Sequence, residues 1–267
     1  MMKRYEHILS YDPGNVQGIG GRDYQEDSFG FVNAGDVKLI GQQGLFAAVA
    51  DGIGGLKDGK EASTITIDTL RADFMKYDRN SHLGTQLARS ILKANEIVYH
   101  SYQKESGSTV VAAILYKEML YFASVGDSTI WLVRKNERDK KGSREVIRLN
   151  EPHNMRFRKY MESITRGSAD PFEARNDPQE HSLTEYIGKE SIQAIDLNFK
   201  PLLLRNGDVI ILCSDGVGDV LSEKEVLYCL QEGLNSQQVC ALIDSLIRNK
   251  KCPGQDNYTA IVIRCII

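Results

Sequence analysis

The stretch FAAVADGIGG, Phe46 to Gly55, sets five apolar residues against an acid and three glycines. An apolar run of that length, stopped so abruptly, predicts a buried strand. Its end places the Asp51 carboxylate and the bare Gly52 carbonyl at one rim. Two hard oxygens side by side on a rigid strand end are what a Mg²⁺ or Mn²⁺ site requires. Asp-Gly is also among the commonest turn dipeptides, so the assignment depends on partners elsewhere in the chain.

The bulk composition narrows the field. A chain of 267 residues that is 42% hydrophobic and 26% charged can bury a sizeable core. The formal net charge of -3 leaves no basic excess to neutralise phosphates, which argues against nucleic acid as a partner. No apolar run approaches the roughly eighteen residues of a membrane span, and MMKRYEHILS lacks a secretory core. Five cysteines with no C-x-x-C pair read as reduced, mostly buried thiols. A cytoplasmic protein is the expectation.

Working outward, the block from Tyr11 to Phe31 is glycine-rich and contains GGRDYQEDSFG, read as a charged loop carrying Arg22, Glu26 and Asp27. Asp23 breaks the G-x-G-x-x-G spacing, which excludes a dinucleotide fingerprint. After Asp51, Gly54 to Lys60 fits G-x-x-x-x-G-K, as in a phosphate-cradling P-loop. Glu61 stands where that motif needs a Ser or Thr hydroxyl, and it would repel a triphosphate. Helices are expected over Ala62–Met75 and Thr85–Gln103. Strands are expected over Thr109–Leu115, Leu120–Val125 and Thr129–Arg134, a hairpin meander rather than β-α-β alternation. That order counts against a P-loop NTPase, whose parallel sheet needs crossover helices.

Lys135 to Arg144 reads as a solvated hairpin loop. From Glu151 to Lys189 regular patterning weakens, and so long an irregular insertion suggests a functional lid. Strands follow at Ile192–Asp196, Asp208–Cys213 and Tyr258–Cys265. Between them lie two helices, one with the capping box Ser222-x-x-Glu225 and one capped by Ser236. No linker or repeat interrupts the chain, so residues 1–267 are expected to form one domain.

Apolar strands meet an acid at Asp51, Asp215 and Asp256, and Asp127 sits at the tight turn SVGDS. Isolated acids converging at one rim would repel, so their convergence implies cations between them. In order, RDYQED (22–27), ADGIGG (50–55), SGST (106–109), SVGDS (124–128), CSDG (213–216) and QDN (255–257) resemble the metal-dependent serine/threonine protein phosphatases of type 2C, bacterial branch. The resemblance covers nearly the whole chain.

The resemblance implies an α+β fold, a four-layer α-β-β-α sandwich with two central, mainly antiparallel sheets. It also implies hydrolysis of phosphoserine and phosphothreonine on proteins by a hydroxide bridging two metals, opposing a bacterial serine/threonine kinase. Asp51 would bridge two Mn²⁺ or Mg²⁺ ions, with the Gly52 carbonyl, Asp215 and Asp256 completing their shells. Asp27, with Glu26, would act through metal-bound waters. Asp127 and Asp215 would hold a weaker third ion, Arg22 would grip the substrate phosphate, and residues 155–188 would form the flap that screens substrates. Two such ions about 4 Å apart lower the pKa of a water and offset charge on the transferring phosphoryl group.

Three positions depart from the family pattern. Ile53 replaces a candidate general-acid His found after Asp-Gly in eukaryotic relatives, and Thr129 replaces the usual Arg after GDS. Around LNEPHN only Leu149 and His153 match, and His153 is read as a structural hydrogen-bonder outside the site. The alternatives are a P-loop NTPase using Gly54–Lys60 and a phosphoprotein-binding pseudophosphatase.

Overall fold

A computed structural model describes residues 10–53, 58–102, 105–136, 143–167 and 178–266. The quoted stretch forms β3 (Leu45–Ala50), in which every residue is buried. Its side chains alternate between two cores: Leu45, Ala47 and Val49 enter one, Phe46, Ala48 and Ala50 the other. A strand covered on both faces needs no polar alternation, which is why this one is a continuous apolar run.

β3 pairs antiparallel with β2 (Ser28–Val32) and with β4 (Val110–Tyr116). β4 pairs with β5 (Met119–Val125), and β8 (Asp196–Leu197) closes the sheet order β2-β3-β4-β5-β8. β9 (Leu202–Leu203) pairs with the other end of β5. The second sheet has the order β1-β11-β10-β6-β7, from β1 (Ser10–Gly18), β11 (Tyr258–Ile266), β10 (Val209–Cys213), β6 (Thr129–Lys135) and β7 (Arg144–Arg148). All its pairings are antiparallel.

Three apolar layers separate the elements. Between the sheets lie Leu45, Val49, Leu115, Ile130, Leu212 and Ile261. Phe46, Leu70, Leu87 and Ile91 join the first sheet to α2 (Gly59–Phe74) and α3 (Leu83–Tyr102). Across the second sheet, Trp131, Ile211, Val239 and Ile243 pack under α6 (Glu223–Cys229) and α7 (Ser236–Lys250). Burying each such large side chain contributes about 1.5–3 kcal/mol, and the result is the four-layer α-β-β-α sandwich. The remaining helices are α1 (Val37–Gln43), α4 (Met155–Thr165) and the single-turn α5 (Asp215–Gly218). Among the described residues no helix is long and apolar enough to cross a membrane.

Several local expectations change. The charged segment from Arg22 to Asp27 is a loop as read, but it joins two strands, β1 and β2, that the reading of block 11–31 did not name. β1 includes Pro13, which an edge strand tolerates, and a Cβ on Gly14 would lie 2.5 Å from the Ser236 backbone, so α7 packs closely on it. Asn235, not Ser236, caps α7: Asn235 Oδ1 accepts from Gln238 N–H at 2.8 Å. The Ser236 hydroxyl instead donates to the Asp12 carbonyl at 2.6 Å. Ile192–Ile195 is not strand, and only Asp196–Leu197 pairs, with Ala123 and Ser124. The region 151–189 holds the eleven-residue α4. The five cysteines are free, all buried except the half-buried Cys252.

Candidate active site

Strand ends from both sheets meet around a cleft of about 620 Å³. Arg22, Asp51, Gly52, Asp127, Asp215 and Asp256 all line it. Asp51 leaves the end of β3, Asp127 turns between β5 and β6, Asp215 opens α5 after β10, and Asp256 precedes β11.

The short motifs around these acids act as clamps. Asp51 N–H donates to Thr109 Oγ1 at 3.1 Å, and the Asp51 carbonyl accepts from Thr109 N–H at 2.8 Å and Ser108 Oγ at 2.9 Å. Thr109 Oγ1 bonds Ser128 Oγ at 2.6 Å, joining SGST to SVGDS. A Cβ on Gly52 would lie 2.4 Å from the Gly59 carbonyl oxygen and 2.8 Å from that of Glu26. Only glycine lets the backbone pass there.

QDN holds the Arg22 loop. The buried Asn257 amide donates to the carbonyls of Ile19 (2.8 Å) and Tyr24 (2.9 Å) and accepts from Glu26 N–H at 2.8 Å. Ser214, fully buried, donates to Asp27 Oδ2 at 2.9 Å and accepts from Thr259 N–H at 3.0 Å. Asp27 therefore lies buried behind the lining, while Glu26 Oε1 turns toward Gly59 at the start of α2. Arg22 and Asp256, 46% and 39% exposed, form an ion pair at 2.6 Å.

Packed acids raise one another's pKa. Burial first, then the charges of Asp27 and Asp215, holds Asp51 well above the usual carboxylate range. Burial and the Asp127 and Asp256 charges push Asp215 up to about 7, and burial pushes Asp127 up to about 6. Burial also raises Asp27. Asp27 Oδ1 and Asp215 Oδ1 are buried without a hydrogen-bond partner. Oxygen-only donors with unsatisfied buried lone pairs fit hard divalent cations. Among the described residues no three Asp, Glu, His or Cys side chains are already gathered as a cage.

Lys60 does not point to a phosphate. It donates to the Asp27 carbonyl and, at 2.9 Å, to Ser28 Oγ, tying α2 to the acid-bearing segment. β3, antiparallel to both neighbours, is not the parallel strand of a P-loop fold. Gly54–Lys57 of that motif lies outside the described residues.

The flap is anchored on both sides. His153 Nδ1 accepts from Gly126 N–H at 3.2 Å and His153 N–H donates to the Gly126 carbonyl at 2.9 Å, with burial lowering the ring's pKa. This is a structural role. On the return, Ile187 and Ser108 exchange backbone hydrogen bonds of 2.7 and 3.0 Å. His181, Ser182, Leu183 and Tyr186 then line the cleft; only the irregular 155–188 stretch as a whole hinted at them. Arg148 was missed too. It reaches the Asp127 carbonyl at 3.3 Å from β7, a contact no motif announces. Residues 168–177 lie outside the described residues.

Comparison with known proteins gives the family and the fold. The chain matches the family described as protein phosphatase 2C over residues 24–246. It is 27% identical over 254 residues to the serine/threonine phosphatase stp of Listeria monocytogenes, covering 91% of this chain and 90% of that one. The solved serine/threonine phosphatase of S. agalactiae superposes with a TM-score of 0.79 at 25% identity, over 96% of this chain and 99% of that chain. The catalytic domain of the serine/threonine protein phosphatase PstP, in complex with 2 manganese ions, shares the fold with a TM-score of 0.71 at 22% identity, over 97% and 99%.

Proposed function

This chain belongs to the protein phosphatase 2C family, in its bacterial branch, and we propose that its reaction is hydrolysis of phosphoserine and phosphothreonine on proteins. The carrying observation is Asp51, half-buried beside Asp215 in a cleft that also holds Arg22, with the buried Asp27 behind it. Asp51, the Gly52 carbonyl, Asp215 and Asp256 would hold two Mn²⁺ or Mg²⁺ ions, with Asp127 and Asp215 serving a weaker third. Such ions, when bound, acidify water and offset charge on the phosphoryl group.

The protein's own groups do the rest. The Arg22 fork binds two phosphate oxygens, exchanging its Asp256 partner for substrate. The clamps on the Asp51 backbone hold in place the residue that carries this carboxylate while charge moves at phosphorus. Glu26 and Asp27 support the acids through water. Ile53 is apolar, so the proton for the leaving serine or threonine oxygen comes from water rather than from that position. The substrates are the phosphoproteins made by a bacterial serine/threonine kinase. Neither the P-loop nor the pseudophosphatase alternative finds support.

The test is phosphate release from a phosphothreonine peptide and from p-nitrophenyl phosphate after exhaustive EDTA dialysis. Turnover is expected to vanish and to return with Mn²⁺ or Mg²⁺. Full activity in EDTA overturns the reading.

A further inference from the structure

The stretch CSDG supplies Asp215 to the cleft, and the serine before that acid has a use of its own. Ser214 stands at the N-cap of the single-turn α5, where a serine hydroxyl ordinarily accepts from a backbone N–H of the first turn. Here the side chain makes no such bond. Its hydroxyl turns instead to Asp27, on the loop that leads into β2. We propose that Ser214 is a positioning residue: it occupies Oδ2 of Asp27 and leaves Oδ1 as the oxygen with which Asp27 accepts from water at the acid cluster. The inference rests on the phosphatase reading above and assigns a further residue within it.

A count of hydrogens fixes the direction of the bond. Ser214 Oγ accepts from Thr259 N–H at 3.0 Å, so its single hydrogen is left for Asp27 Oδ2 at 2.9 Å. Ser214 N–H donates to the Thr259 carbonyl at 3.0 Å, which stops the hydroxyl from drifting. Ser214, Thr259 and Asp27 are all fully buried, so bulk water does not compete for these bonds.

The other polar groups of Asp27 are committed as well. Its N–H donates to Gln25 Oε1 at 2.9 Å. Its carbonyl accepts from Gln17 Nε2 at 3.2 Å and from the Lys60 ammonium. Among the described residues only Oδ1 of Asp27 is left buried without a partner. An orphaned buried oxygen is costly, and a water donating to it from the cleft would satisfy it. With Oδ2 tied to a fixed hydroxyl, the carboxylate cannot rotate to present the wrong oxygen. One short stretch therefore serves the site twice, through the Asp215 carboxylate and through the hydroxyl that aims Asp27.

Ser214→Ala, Ser214→Thr, Asp27→Asn and the double variant of Ser214→Ala with Asp27→Asn test this. Mn²⁺ affinity is measured by calorimetry, and turnover on p-nitrophenyl phosphate at saturating Mn²⁺, each corrected for the folded fraction. Ser214→Ala is expected to weaken Mn²⁺ binding and to lower kcat by about tenfold each, with KM changed by less than about twofold. Ser214→Thr keeps the hydroxyl and should stay within about threefold of the parent on both readouts. In the Asp27→Asn background, Ser214→Ala should change Mn²⁺ affinity by less than about twofold, because the hydroxyl acts through that carboxylate. A merely structural serine would lower the melting temperature alone, since its loss leaves the Thr259 N–H without an acceptor. Unchanged Mn²⁺ affinity and kcat in Ser214→Ala therefore overturn the inference, and so does an equal loss of affinity in both backgrounds. If the Mn²⁺-loaded parent releases no phosphate, the phosphatase reading falls, and the Mn²⁺ affinities still decide the role of Ser214.

Discussion

Asp51 ends a strand buried along its whole length, with its backbone held on both sides by Ser108 and Thr109. Arg158, on α4 of the flap, has a side chain 62% exposed and, among the described residues, an ion pair with its helix neighbour Glu162 at 3.1 Å. The floor is over-determined and electrostatically costly, because like charges are packed together in a half-buried site. The flap is cheap to build and buries Ser163 alone among its helical residues. The contrast teaches a division of labour. Chemistry needs groups held within fractions of an ångström, whereas selection among large substrates needs only a shaped surface.

The comparison breaks first at Asp51. Asp51→Asn is expected to cost roughly 3–5 kcal/mol of transition-state stabilisation, about 10²–10⁴ in rate. The same change should leave the metal-free melting temperature equal or higher, since it removes a buried like charge. A variant with near-normal kcat, or one that no longer folds, would place Asp51 among structural residues.

A second test uses pH. Asp127 and Asp215 titrate near 6 and 7 in the folded chain, against about 4 when unfolded. The folded state thus holds protons the unfolded state has released, so metal-free stability falls as pH rises from about 4 through 7 and levels off above. In EDTA the melting temperature should be roughly 5 °C or more higher at pH 5 than at pH 8. Mn²⁺ should stabilise more at pH 8 than at pH 5. A flat profile in EDTA would mean the acids are satisfied without cations.

Smaller effects sharpen the boundary between the two regions. In the sequence Lys60 stands out only as the cation of the P-loop match, but its bonds to Asp27 and Ser28 assign it to the floor. Lys60→Ala should cost about 1–2 kcal/mol, a fall of roughly 3–6 °C on melting, without creating or removing ATP hydrolysis. ATPase activity lost with Lys60 would revive the P-loop. Smallest is Arg158→Ala. An exposed helix pair is worth about 0.3–0.5 kcal/mol, so activity on peptide and aryl phosphate should change less than about twofold. A selective loss on peptides would place the specificity surface on the outer face of α4.

Six short motifs made the floor legible, because each is a local backbone solution: Gly52 where a Cβ cannot fit, Asn257 where three backbone groups need one amide. The sandwich was legible for a related reason. β3, β4 and β10 are covered on both faces, and that burial leaves an unbroken apolar run in the sequence; in β11 the run is Ala260 to Ile263.

What the sequence determined by itself was which groups could do chemistry and which strands must be buried, since both follow from residue type over a few neighbouring positions. Tertiary structure alone decided the rest. β1 is polar and carries Pro13, so only its pairing with β11 makes it a strand. Arg148 reaches Asp127 because Trp131 opposes it in the β6–β7 register. Arg22 meets Asp256 across 234 residues of chain. Such contacts depend on strand register and loop path, which no local pattern encodes; one residue of slip would turn Arg148 to the opposite face of its sheet.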